Sequence, residues 1–212
     1  MTPRFPRTRR AASALVMAAA VGLLAAPSAQ AAPTGVTNPG FEAGSTGWNQ
    51  FSTPFGGLPL INSSSARPAH SGSWKAELGG RGFTGVNRIS QQVTVPAHRV
   101  PVLSFWLRID PQTPATLAYR ELDVEATAPD GTPYLLASRT NKDADGAYEK
   151  VTVTLPDAFY ASTDQQVNLS FLVVEDASNR VPFLVDDVTV DFRLKLVRPW
   201  PPVILRPTTT GL

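Results

Sequence analysis

The side chains best equipped for chemistry lie in two alternating segments. In Leu103-Ser104-Phe105-Trp106-Leu107-Arg108-Ile109, the residues Leu103, Phe105, Leu107 and Ile109 share one face of an extended chain, leaving Trp106 and Arg108 on the other. In residues 121–126, Leu122, Val124 and Ala126 share a face, and Glu121, Asp123 and Glu125 share the opposite one. A flat aromatic ring beside hydrogen-bonding groups is the equipment for holding a sugar. The ring packs on the pyranose face and the polar groups fix the hydroxyls. If the two strands face one cleft, Trp106, Arg108, Glu121 and Asp123 form a binding site of this kind. The competing reading has Trp106 packed under a loop and the acids forming a solvated face. Trp48 and Trp74 are expected in the core, Trp74 because it shares a face with Ala76 and Leu78.

The same inventory argues against catalysis. His70 and His98 are the only histidines, cysteine is absent, and neither a His-Glu-x-x-His nor a Gly-x-Ser-x-Gly pattern occurs. Residues two apart on a strand, such as Glu121 and Asp123, have Cα atoms ~6.5–7 Å apart. That spacing is permissible for a glycosidase pair, but any acidic strand face has it, and nothing else on the checklist of an active site accompanies it. The chain is expected not to be an enzyme.

The elements that position these residues are strands. Period-two alternation recurs at Val151-Val153-Leu155 and at Val167-Leu169-Phe171-Val173. Further strands are expected at 74–78, 89–95, 133–139 and 183–190. Pro129-Asp130-Gly131-Thr132 and the stretch 143–146 carry turn chemistry, since Asp bonds its own backbone and Gly accepts positive φ. No helical period persists beyond two turns. Eight or nine strands, with most of the 20 prolines between them, predict an all-β fold: an antiparallel β-sandwich of jelly-roll type.

The ends of the chain read differently. Arg4, Arg7, Arg9 and Arg10 precede an apolar run from Ala11 to Ala26, and Ala29-Gln30-Ala31 supplies a small-residue cleavage site. The run is shorter than the ~20 residues that span a bilayer, so residues 1–31 are expected to be a cleaved secretory signal peptide, with no membrane anchor remaining. The protein is then secreted and extracellular. The full chain has 19 basic and 17 acidic residues, and loss of the four leader arginines leaves the acids in excess. The basic balance therefore gives no reason to expect a nucleic-acid partner. Residues 32–191 are expected to form the sandwich. Residues 192–212, with Pro199, Pro201, Pro202 and Pro207 and only basic charges, read as an extended tail that could tether the domain to an anionic wall polymer.

Six segments in order resemble the calcium-containing jelly-roll carbohydrate-binding modules, the galactose-binding-like group that includes cellulose- and xylan-binding modules. They are Asn38-Pro39-Gly40-Phe41-Glu42 with Gly47-Trp48; His70-Ser71-Gly72-Ser73-Trp74-Lys75-Ala76-Glu77-Leu78; residues 89–95; residues 103–108; residues 150–155; and Phe183-Leu184-Val185-Asp186-Asp187-Val188. The resemblance spans about Thr37 to Val190. It implies that the Gly-Phe-Glu entry and the Asp-Asp exit lie side by side, tied by a structural Ca2+. Glu42 and Asp186 would be the carboxylate ligands and carbonyls around 71–75 would complete the shell, as a hard cation needing six to eight oxygens requires. It also implies a poly- or oligosaccharide partner. The expectation is thus a secreted, non-catalytic carbohydrate-binding module. The alternative is a structural or adhesive extracellular sandwich that binds protein or cell wall without a sugar cleft.

Overall fold

A strand that alternates apolar and polar residues has one face to bury, and two sheets of such strands bury those faces against each other. In the computed structural model, which describes residues 35–53, 59–111, 121–175 and 180–195, ten strands do this: β1 (Asn49–Ser52), β2 (Ile61–Asn62), β3 (Lys75–Gly79), β4 (Gly85–Val95), β5 (Arg99–Ile109), β6 (Glu121–Thr127), β7 (Pro133–Thr140), β8 (Tyr148–Thr154), β9 (Gln165–Glu175) and β10 (Pro182–Leu194). They form two five-stranded antiparallel sheets. The first has the order β1-β4-β9-β6-β7 and the second β2-β3-β10-β5-β8. The expected all-β sandwich is the observed fold.

The core is built from the inward rows. Ile89 and Val93 of β4, Leu169 and Phe171 of β9, and Leu122 and Val124 of β6 meet Leu103 and Phe105 of β5 and Phe183 and Val185 of β10, all buried. Phe105 and Phe171 touch edge to face across the sheets, with centroids 5.0 Å apart. Trp48 joins them as expected, buried against Phe41 and Phe171. Trp74 is only half-buried and packs on the rim of the core, so the expectation of a second core tryptophan holds in part.

Asp130 accepts from the Thr132 amide at 2.9 Å, and Gly131 takes φ +88° in the turn between β6 and β7. The expected end of the sandwich at 191 falls inside β10. Phe192, Arg193 and Leu194 go on pairing with Pro101, Val100 and Arg99, because nothing interrupts the ladder before the tail's first proline. Residues 1–31, expected as a leader, and most of the expected tail, 196–212, lie outside the described residues.

Candidate functional site

The two outward faces differ. On the second sheet, Glu77, Leu184, Arg108 and Tyr148 stand in one row across four strands, with Asp186, Trp106 and Lys150 in the next. The segment between β2 and β3 crosses this face. The Arg67 guanidinium bonds Glu77 at 2.9 Å and Asp110 at 3.0 Å, and Arg108 bonds Asp110 at 2.8 Å. Leu184, outward by alternation, is nevertheless fully buried beneath these groups. Tyr148 donates to the Pro68 carbonyl at 3.1 Å, and burial keeps its hydroxyl protonated far above the usual phenol range. Lys75, with no exposure, donates to Asn62 Oδ1 at 2.8 Å and Ser64 O at 2.7 Å, and burial lowers its pKa.

Trp106 lies under the same segment. The His70 imidazole stacks on its indole at 3.8 Å between centroids and 15° between planes. Its π-face is therefore occupied by a neighbour from its own chain. The expected site is also divided: Trp106 and Arg108 project from β5 in the second sheet, whereas Glu121 and Asp123 project from β6 in the first, on the opposite side of the sandwich. Alternation placed all four outward correctly. The sheet each strand joins is decided by long-range pairing, β5 with β10 and β6 with β9.

The entry and exit motifs do meet. Glu42 Oε1 accepts the Ser73 and Trp74 amides, each at 2.8 Å. Asp186 Oδ2 accepts the His70 and Ser71 amides at 2.8 and 3.1 Å, and its Oδ1 accepts the Asp187 amide at 2.7 Å. Between Asp186 and Thr189 the register of β10 slips, and Asp187 takes φ +48°. This bulge turns two consecutive carboxylates toward one loop. Asp187 then takes His70 Nδ1 at 2.6 Å and Ser71 Oγ at 2.7 Å. The loop can approach this closely because Gly72 has φ +60°, and a Cβ there would stand 2.3 Å from Glu42 Oε1. Burial pushes the Asp186 carboxyl up to about 6, against the pull of its amide donors.

Two carboxylates meet at Gly40, where a Cβ would lie 3.2 Å from Asp187 Oδ1 and 3.9 Å from Asp186 Oδ1, while the Glu42 carboxylate is turned to the Ser73 and Trp74 amides of the same loop. Oxygen donors and concentrated negative charge suit a hard cation. The loop turns amide N–H groups to these acids, however, in place of the carbonyls expected around 71–75. Among the described residues no three His, Asp or Glu side chains surround one ion position.

The outward face of the first sheet has no such cover among the described residues. Phe51, Arg88, Leu172, Asp123 and Ser138 form one row across all five strands. Asn49, Ser90, Ser170, Glu125 and Leu135 form the next, followed by Gln92, Asn168, Thr127 and Pro133. Phe51 is 49% exposed, and the Arg88 guanidinium sits 5.7 Å from its ring centroid. Ser138 Oγ donates to Glu121. Asp123 Oδ1 is buried without a partner among the described residues, and burial raises the Asp123 pKa, with the Glu121 charge adding to the rise.

No protein-family profile and no curated protein sequence matches the chain. Among solved structures, TmCBM61 in complex with β-1,4-galactotriose superposes with a TM-score of 0.56 at 14% identity, over 76% of this chain and 100% of that one. This chain has the β-sandwich fold of carbohydrate-binding modules. Looser likenesses, which add no weight, are a family 16 carbohydrate-binding module (TM-score 0.45, 21% identity, 74% of this chain and 98% of that one) and the K3 cleaved adhesin domain of Lys-gingipain from Porphyromonas gingivalis (0.48, 16%, 71% and 95%).

Within this carbohydrate-binding-module fold, sequence reasoning missed Phe51, Arg88 and His70. Phe51 and Arg88 face each other only because the four-residue strand β1 pairs with β4, and β1 carries no alternating pattern long enough to announce itself. The role of His70 depends on a contact with Asp187, 117 positions away.

Proposed function

We propose that this protein is a secreted, non-catalytic carbohydrate-binding module that holds poly- or oligosaccharide on the outward face of its first sheet. The observation that carries this reading is the three-row array just described. An exposed ring, a guanidinium, carboxamides, hydroxyls and carboxylates lie on one open sheet face, whereas the corresponding groups of the second sheet are paired with one another. Phe51 offers the apolar surface for a sugar ring, and Arg88, Glu125, Gln92 and Asn168 are placed to hydrogen-bond hydroxyls. Cell-wall polymer is one partner of the right chemistry.

Affinity electrophoresis of the chain through gels containing xylan, glucan, mannan or galactan tests this. Retardation by one polymer, lost in Phe51→Ala and Arg88→Ala and kept in Trp106→Ala, is the expected result. Retardation by none of the polymers would leave the adhesive reading. That reading is favoured by one observation: Val174 and Leu135, 56% and 61% exposed, share the face with Phe51 and suit contact with a protein.

We further propose a structural Ca2+ held by Glu42 and Asp186, a reading supported by their attachment to one and the same loop. When bound, the ion would neutralise the acids and tie the entry segment to β10. Some loop amides would have to turn away to admit it. Melting with and without a chelator is the test, and identical midpoints would rule the ion out.

A further inference from the structure

The edge of the sandwich where β1 and β2 run as outermost strands of their sheets holds an open groove of about 510 Å3, within the 300–1,000 Å3 range of small-molecule sites. We propose that this groove is a second binding site, separate from both sheet faces, for a short uncharged saccharide unit.

One wall is Trp74. Its backbone N–H is fixed by Glu42 at 2.8 Å, and its indole is half-buried, with one part on the core rim and another lining the groove. Gly44 faces the ring edge, where a Cβ would lie 3.8 and 3.9 Å from Trp74 Cζ3 and Cη2. No side chain at that position shades the indole. The turn carrying Gly44 is held before any ligand arrives. Asn38 Oδ1 accepts the Ala43 amide at 3.1 Å, and Asn38 Nδ2 donates to Gly44 O at 2.9 Å and Thr46 O at 3.2 Å. An aromatic surface on a pre-set frame loses little conformational entropy on binding.

Other lining residues supply polarity. Gln50 reaches from the first sheet to the second, where its Oε1 accepts the Leu60 and Ile61 amides at 2.7 and 2.9 Å. That pins the carboxamide and leaves its two Nε2 hydrogens without a partner among the described residues, directed by a fixed group. Ser45 and Ser63 add hydroxyls. No lining residue is ionisable, and the two cations bonded to its lining, Arg81 on Pro59 O and Lys75 on Asn62 Oδ1, are already engaged there. A ring with one apolar face and several hydroxyls matches a groove lined by an indole, a pinned carboxamide and hydroxyl groups. The inference shares only the ligand class with the proposed function. It involves neither Phe51 nor Arg88.

The test is two-dimensional NMR of the 15N-labelled chain titrated with D-galactose, D-glucose, D-xylose and β-1,4-galactotriose. The Trp74 indole N–H and the Gln50 carboxamide report on the groove. Saturable shifts of both with at least one sugar are expected. Trp74→Ala should abolish binding there. Ala43→Phe, at an exposed position that leaves the fold intact, should weaken it at least tenfold, with gel retardation through the first sheet unchanged. Shifts confined to Phe51 and its row would overturn the groove and leave the proposed function standing. Shifts at Trp74 without any gel retardation would support the groove and remove the sheet-face reading. Silence at both reporters with every sugar would overturn the inference outright.

Discussion

Each sheet sets a leucine on its outward face between two charged residues: Leu184 between Glu77 and Arg108, and Leu172 between Arg88 and Asp123. The local pattern is the same, and the outcome is opposite. Over Leu184, Arg67 joins Glu77 to Asp110 and completes a roof, so the leucine has no exposure. Over Leu172 nothing in the described chain closes, and the leucine stays half-buried. A sheet face is made structural or available by the segment that crosses it, more than by the residues it displays.

The sharpest way to break this comparison is Leu184→Ala against Leu172→Ala. The first should cost about 2–5 kcal/mol, as for a core leucine, and the second about 1 kcal/mol or less, read from denaturant midpoints. Equal costs would mean that the roof over the second sheet is not held in solution.

Next in size is chelation, which probes the acids that fasten the roof. With calcium at about a hundred times its dissociation constant, removal should cost about 2.7 kcal/mol. At roughly 2–4 °C per kcal/mol for a domain of this size, the melting midpoint should fall by about 5–10 °C. Trp106→Ala should follow at about 2 kcal/mol, because it empties the space beneath His70, and polysaccharide retardation should not change. A loss of retardation would return the sugar site to the second sheet.

The smallest effect sharpens the open face. Burial raises the pKa of Asp123 in the folded state, so its ionised form is penalised there. The penalty is present above the raised folded-state pKa and disappears as pH falls below the ordinary aspartate value. Asp123→Asn should therefore stabilise the protein at pH 7 by about 0.5 kcal/mol, with the gain vanishing near pH 3. A gain that persists at pH 3 would point to packing instead of charge.

Much of this architecture is legible residue by residue. The alternation in 103–109, 121–126 and 167–173 identifies β5, β6 and β9 and the correct inward rows, because half-buried strands imprint their period on the chain. The pairing of Glu42 with Asp186 through the loop at 70–74 is legible as a resemblance. The sheet that each strand joins is not, and so Trp106 and Asp123 looked like neighbours while lying on opposite sides. The short strands β1 and β2 are invisible because four and two residues carry no measurable period, yet they bring Phe51 and Gln50 into place.

The start and finish of the folded body also meet. The Gly35 amide bonds Val190 O at 3.0 Å, and a Cβ at Gly35 would touch the Phe192 ring. Entry and exit being neighbours, the domain can be spliced into a loop of a host protein without prising the host's halves apart. For the same reason the chain should tolerate circular permutation: a short linker from 195 to 35, with new ends opened at the exposed turn between Asp130 and Gly131, would leave every strand pairing of both sheets intact.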